Sequence, residues 1–206
     1  MGWNSGKKTG LSTVALLLAM ILACYVAGAA FLPIRDTPVH ADAVVVFIGP
    51  DNAERFREAR QLIMEGYARV LLIPALGTMW TSRDGKWNKA APLHLQVKGR
   101  HRGAVGPYPG YYENTHIEVL GALKMMEDFG MSSAIFVSSP THMRRIRIIT
   151  NQVVPDPTGY QIAFRGTRYV PAGNVVSLFH PVMARQVALE YVKIGWFLLY
   201  HSIGKK

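Results

Sequence analysis

Twenty-four consecutive residues without a charge, Leu11 to Ile34 (LSTVALLLAMILACYVAGAAFLPI), set the first limit on what this chain can be. As a helix the run would be about 36 Å long at about 1.5 Å per residue, enough to cross the hydrocarbon core of a bilayer with some tilt. Lys7 and Lys8 precede it, whereas Arg35 and Asp36 cancel behind it. That bias places residues 1–10 in the cytoplasm as a short tail and residues 38–206 outside. Two processed forms compete with this reading. Ala27-Gly28-Ala29 fits a signal-peptidase site, and Ile21-Leu22-Ala23-Cys24 fits a lipobox. Tyr25 to Ile34 stays apolar where a mature N-terminus would be polar, so an uncleaved anchor over 11–34 is the expectation, with the lipid bilayer as its partner.

The rest of the 206 residues is long enough to bury one core. Half of the chain is hydrophobic and 17% is charged, which excludes a disordered protein. Cys24 is the only cysteine and lies within the apolar run, so no disulfide or cysteine-based metal site forms within one chain. Lys plus Arg number 23 against 13 Asp plus Glu, a net +10, which favours an anionic partner. No nucleic-acid recognition motif accompanies this charge, and nucleic acid is not an expected partner.

Ala41–Ile48 (ADAVVVFI) is a β-branched run of strand character, broken by Gly49-Pro50-Asp51-Asn52. A helix with Phe56, Ala59, Leu62 and Ile63 on one face follows to about Glu65, and VLLIP at Val70–Pro74 is a second strand. That βαβ order implies a parallel sheet, hence an α/β fold. Later elements are predicted at Asn114–Phe129 (helix), Ala134–Ser138 (strand), Pro140–Asn151 (helix), Gln161–Arg165 and Val175–Phe179 (strands) and Pro181–Ser202 (helix). The C-terminal helix is expected to dock on the domain and touch the membrane surface. Residues 76–112 interrupt the rhythm as a basic insertion, with six positive charges against Asp84. They form a lid, a binding insertion, a solvated loop, or small strands such as Leu93–Val97.

Three stretches carry chemistry-bearing residues where strands pass into helices. Ser138-Ser139-Pro140-Thr141-His142-Met143-Arg144-Arg145 combines hydroxyls, an imidazole and two guanidinium groups with a helix N-terminus, whose unpaired N–H groups suit an anion. Asn114-Thr115-His116-Ile117-Glu118, preceded by Glu113, is either a Thr115/Glu118 capping box or a second ligand-facing helix start. Gly49, Asp51 and Asn52 with Arg55 form the third; Asp51 or Asn52 either caps the helix or faces the same cleft. His142 is the candidate general acid/base, with Glu118 orienting it or serving as an alternative base. Gly49, Asp51, Asn52, Arg55, Asn114, Thr115, Ser138, Ser139, Arg144 and Arg145 are the candidate ligand-binding residues. No third metal ligand has recognisable spacing beside Glu113 and His116, so no metal is expected.

Taken in order, these residues resemble a family of bacterial domains of the YdcF, SanA and ElyC type. The resemblance rests on Val44–Gly49, Arg55, Asn114-Thr115-x-x-Glu118, Ser138 to His142-x-x-Arg145, and Glu190-Tyr191-x-Lys193. The matched parts cover about two thirds of residues 41–152. It implies a Rossmann-like three-layer α/β/α sandwich, anchored in the bacterial inner membrane with its domain on the periplasmic side and acting in envelope biogenesis. Some members resemble binders of S-adenosylmethionine or other nucleotides; no cofactor is otherwise expected. The combined reading is an extracytoplasmic domain that binds an anionic, phosphorylated or glycan-linked envelope precursor at the carboxyl edge of its sheet, and hydrolyses or transfers it. The alternatives are a non-catalytic scaffold of envelope synthesis and a nucleotide-binding protein.

Overall fold

The computed structural model describes residues 5–83, 86–90, 108–154, 159–170 and 180–204. Helix α1 spans Ser5–Phe31, and its stretch Thr13–Phe31 is long and apolar enough to cross a membrane. The helix stops short of the charge-free run because Pro33 lacks an N–H and disfavours helical backbone at Leu32.

The domain is built on a sheet of β1 (Ala43–Val46), β2 (Val70–Ile73), β3 (Thr78–Arg83), β4 (Lys86–Ala90), β5 (Ser133–Ser138) and β6 (Gln161–Gly166), in the order β4-β3-β2-β1-β5-β6. The strands β2, β1, β5 and β6 run parallel, with Val45 opposite Leu72 on one side and Phe136 on the other. Strands β3 and β4 add an antiparallel hairpin at the β2 edge, inside the basic insertion. The predicted strands Leu93–Val97 and Val175–Phe179 lie outside the described residues.

Alternation along β1 divides two cores. Ala43, Val45 and Phe47 face α3 (Asn114–Asp128) and α4 (Pro140–Val153), packing with Val119, Met126, Met143 and Ile146. Val44 and Val46 face α2 (Asn52–Met64), packing with Ala59, Leu62 and Ile63. Helices therefore cover both faces, and each fully buried side chain contributes about 1.5–3 kcal/mol of burial energy. On the α2 side, Glu58 is fully buried and accepts from Arg168 (2.9 Å) and Arg165 (3.1 Å), clasping β6 to α2.

Helix α5 (Pro181–Gly204) packs against α4, α1 and the α3 side. The junction after α1 is also fixed to the domain. Arg35 bridges Arg165, the Gly166 N–H donates to Ile34 O, and the Asp36 N–H donates to Phe164 O (both 2.9 Å), adding a short antiparallel contact to the β6 edge.

The chain moves outward from β1 to β2 and then returns to the other side of β1 for β5. The crevice outside the carboxyl ends of β1 and β5 is therefore the topological switch point, where open α/β sheets bind ligands.

Candidate functional site

A cleft of about 680 Å³ opens at that switch point. Helices α2 and α4 leave the sheet there, and α3 begins there before running back to start β5. Asn52, Asn114, Thr115 and His142 bring the first turns of all three helices to its wall. None of the three N-caps, Asp51, Glu113 and Ser139, makes a side-chain capping bond. The capping readings of the sequence are thus not realised, because the polar side chains bond elsewhere. The first amides of α2 and α3 are left without side-chain acceptors. Helix α4 offers side chains rather than amides, since Pro140 has no N–H and the His142 N–H donates to Ser139 O at 3.1 Å.

Arg55 explains the first diversion. Only 2% exposed, it donates to Phe47 O (2.7 Å), to Asp51 (2.7 Å) and to Ser139 Oγ. The Ser139 hydroxyl in turn donates to Asp51 at 2.9 Å. Burial works against the Asp51 charge, but the Arg55 hydrogen bond and charge hold its carboxyl below the ordinary range. Gly49 is required here, because a Cβ would sit 2.6 Å from Arg55 Cζ. Its N–H donates to Asn52 Oδ1 at 2.7 Å, which shapes the turn.

Arg145 explains the second. It is 3% exposed and donates Nε–H to Glu190 at 2.7 Å, with Nη1 bonded to both Glu113 and Thr115. Thr115 is thereby removed from any capping box with Glu118. Glu190 also lies 2.8 Å from His142 Nδ1. Burial opposes the Glu190 charge, yet the His142 hydrogen bond and the Arg145 charge bring its pKa down to about 2. Arg145 Nη2 lies 3.0 Å from the same Nδ1, so a carboxylate acceptor and a guanidinium donor meet at one edge of the ring. The imidazole is thereby held at the cleft wall between an acid and a guanidinium, within reach of anything bound there. The orienting partner is Glu190 on α5, which corrects the expectation for Glu118.

Glu118 has a different character. It is 7% exposed, lines the cleft and makes no hydrogen bond among the described residues. Burial raises its pKa to about 8 despite the opposing charges of Arg55 and Arg145, so it is a neutral carboxylic acid at pH 7. Ser138 Oγ, on a residue 1% exposed, likewise lines the cleft without a partner. Asn114 and Lys193 complete the polar wall, with Lys193 Nζ 4.0 Å from Glu190. Tyr111, Tyr112 and Trp196 form an aromatic rim, tied by the Trp196 indole N–H donating to Tyr111 O at 3.1 Å.

Of the sequence-predicted residues, Gly49, Asn52, Arg55, Asn114, Thr115, Glu118, Ser138, His142 and Arg145 line this one cleft. Asp51 and Ser139 sit behind it, on the wall of a neighbouring depression. Arg144 is a correction: its Nε donates to Phe31 O at 2.8 Å and its guanidinium stacks 3.9 Å over the Phe31 ring. It closes the carbonyl end of α1, where the helix dipole favours a cation, and does not reach the cleft. Arg145 also changes role, since its N–H groups go to protein acceptors and it works as an internal strut. Glu190, Lys193, Trp196 and the two tyrosines were not among the predicted site residues. Glu190 and Lys193 had a signal in the Glu190-Tyr191-x-Lys193 match of the resemblance; Trp196 and the two tyrosines had none beyond aromatic character.

Among the described residues, no group of three or more His, Cys, Asp or Glu could hold a metal ion. No family model, curated protein or solved structure matches the chain, so the YdcF-type resemblance rests on its motif residues alone.

Proposed function

We propose that the protein is a membrane-anchored, extracytoplasmic domain of the bacterial cell envelope whose cleft binds an anionic ligand, a phosphorylated or glycan-linked precursor. In this reading the sheet covered on both faces is a Rossmann-like sandwich, and α1 is its uncleaved anchor. The observation that carries the proposal is the Ser138 hydroxyl, buried and unpartnered on the cleft wall beside two helix N-termini that lack side-chain caps. A buried hydroxyl without a partner costs about 1–3 kcal/mol, a penalty that an accepting ligand removes. Neutral Glu118 is a second donor, Lys193 supplies charge, and the first amides of α2 and α3 supply dipoles.

His142, oriented by Glu190, would take a proton from water or from an acceptor hydroxyl through Nε2. Glu118 would give its proton to a departing oxygen. Both are acid/base roles in hydrolysis or transfer at a phosphate or glycosyl centre.

The test is calorimetric titration of the full chain in detergent with inorganic phosphate and pyrophosphate. Ser138→Ala should weaken binding about tenfold or more, the scale of a hydrogen bond to a charged group. Equal affinity in Ser138→Ala and wild type would sink the proposal. Turnover of a phosphomonoester such as p-nitrophenyl phosphate, lost in His142→Gln, would establish catalysis. Phosphate binding with no turnover would favour the non-catalytic scaffold.

A further inference from the structure

The outer face of α5 is an unusual surface for a helix in water. Among residues 188–204, those that are exposed are Ala188, Leu189, Tyr191, Val192, Gly195, Trp196, Leu198, Leu199, Ser202, Ile203 and Gly204. None carries a charge. The two hydroxyls among them are turned to backbone acceptors, Tyr191 Oη to Gly28 O (2.7 Å) and Ser202 Oγ to Leu199 O (2.8 Å). Lys193, its side chain 42% exposed, lines the cleft, and Glu190 is buried against Arg145. Leu189, Val192, Trp196, Leu199 and Ile203 recur at steps of three and four, which gathers them into one stripe.

Where this face lies is fixed by its neighbour. Val187 and Ile194 pack with Ala29 and Leu32, and the Tyr191 ring meets Gly28. These α1 residues lie in or directly after the last turns of the apolar stretch Thr13–Phe31. That stretch of 19 residues is about 28 Å long, close to the thickness of a hydrocarbon core, so its end has little length to spare above the lipid. Anything packed on Gly28 and Ala29 is at the depth of the headgroups and the outer acyl chains. Arg144 and Arg147 hold the domain side of this junction through Phe31 and Asp36, and exposed Arg35 and Arg185 add charge beside it, the sign that anionic headgroups attract.

We propose that α5 is an interfacial membrane helix, lying beside the end of α1 with Leu189, Val192, Trp196, Leu199 and Ile203 in the headgroup and upper acyl layer. This rests on α1 being the transmembrane anchor. Continuity with α1 selects lipid as the occupant over a second copy of the chain. Trp196 belongs both to the stripe and to the rim of the cleft. The cleft therefore opens at the membrane surface rather than away from it, and a ligand reaches it along the headgroup plane.

The full chain, carrying Cys24→Ala, would be reconstituted in phosphatidylcholine vesicles containing phosphatidylglycerol and labelled at one introduced cysteine with an environment-sensitive fluorophore. Leu18→Cys reports the anchor, Val192→Cys and Leu199→Cys the stripe, and Met64→Cys, 70% exposed on α2, the water-facing control. Quenching by lipids spin-labelled near the headgroup should be about threefold or more stronger at Val192→Cys and Leu199→Cys than at Met64→Cys. Stripe labels quenched no more than Met64→Cys, with Leu18→Cys still quenched by deep spin labels, would overturn the interfacial helix and leave the anchor standing. Failure at Leu18→Cys would overturn both. Unquenched stripe labels that cross-link into dimers at Val192→Cys would assign the face to a second copy instead.

Discussion

His142 Nδ1 lies 2.8 Å from a carboxylate oxygen of Glu190, joining the start of α4 to the middle of α5 beside the cleft. The same carboxylate takes two N–H groups of Arg145, at 2.7 and 3.2 Å. One acid thus meets the imidazole and, together with Glu113, neutralises a buried guanidinium. Four consequences are measurable.

Removing Glu190 leaves Arg145 buried beside a partner it has lost. Glu190→Leu is expected to destabilise the domain by about 3–5 kcal/mol, the scale for breaking a buried ion pair from one side. The double variant Glu190→Leu/Arg145→Met should lose less than the sum of the two single variants, because both changes remove the same ion pair. Urea unfolding in detergent reads this directly, and losses that merely add would show the two residues to be uncoupled.

Three buried groups set the pH dependence, and His116, its pKa lowered to about 4 by burial, adds stability as pH rises from 4 to 6.5 and offsets Glu118 over that range. Glu190 has a folded pKa of about 2 against an ordinary value of 4.5, so its contribution is present above pH 4.5 and is lost as pH falls towards 2. Glu118 has the opposite sign. Its folded pKa of about 8 means the folded state holds a proton that the unfolded chain has released, and stability falls as pH rises from 4.5 to 8. Glu118→Gln should therefore match wild type near pH 4.5 and exceed it by a few kcal/mol at pH 8. Parallel stability curves for the two proteins across that range would contradict the buried, neutral carboxyl.

Gly49→Ala forces a methyl group into the Arg55 guanidinium. The expected loss is about 1–3 kcal/mol, with Arg55 displaced from Phe47 O and a weaker affinity for phosphate. An unchanged melting temperature would mean that the turn relaxes without moving Arg55.

Arg144→Ala separates the two neighbouring arginines by function. It should leave phosphate affinity unchanged, while cleavage of residues 32–38 by a nonspecific protease becomes faster as the end of α1 loses its cation, a contact worth about 0.3–1 kcal/mol. A weakened affinity would return Arg144 to the cleft.

Much of the sheet could be read in the chain because its period is local. Val44–Val46, Leu71–Ile73 and Ile135–Val137 are buried on both faces, and only apolar strand formers serve there. The β3–β4 hairpin was legible only in retrospect. Asp84-Gly85 stands between the two strands in sequence, a dipeptide typical of tight hairpins, but residues 76–112 fit a lid, a binding insertion, a solvated loop or small strands, and the strand they suggest is Leu93–Val97. Ser138, His142, Asn114 and Glu118 could be placed at one edge because parallel winding sends every such helix start to the same side. Glu190 could not. Its 48-residue separation from His142 carries no period, and only packing of α5 on α4 reveals which acid meets the imidazole. Arg144 and Arg145 were indistinguishable in sequence, yet one helical step of about 100° sends them to α1 and to the cleft.

The position of α5 also has a consequence in time. A nascent chain that has reached Gly166 possesses every strand of the described sheet, but the core on the α3 side still lacks Phe197 and Tyr200. Such a chain also lacks Glu190 and Lys193, so Arg145 has no counter-ion on that side and His142 lacks its neighbouring carboxylate. The cleft wall is complete only once Pro181–Gly204 has emerged and docked, bringing Lys193 and Trp196. An intermediate released before then would hold the sheet with one wall of its cleft missing, so the cleft is the last part of the domain to be finished.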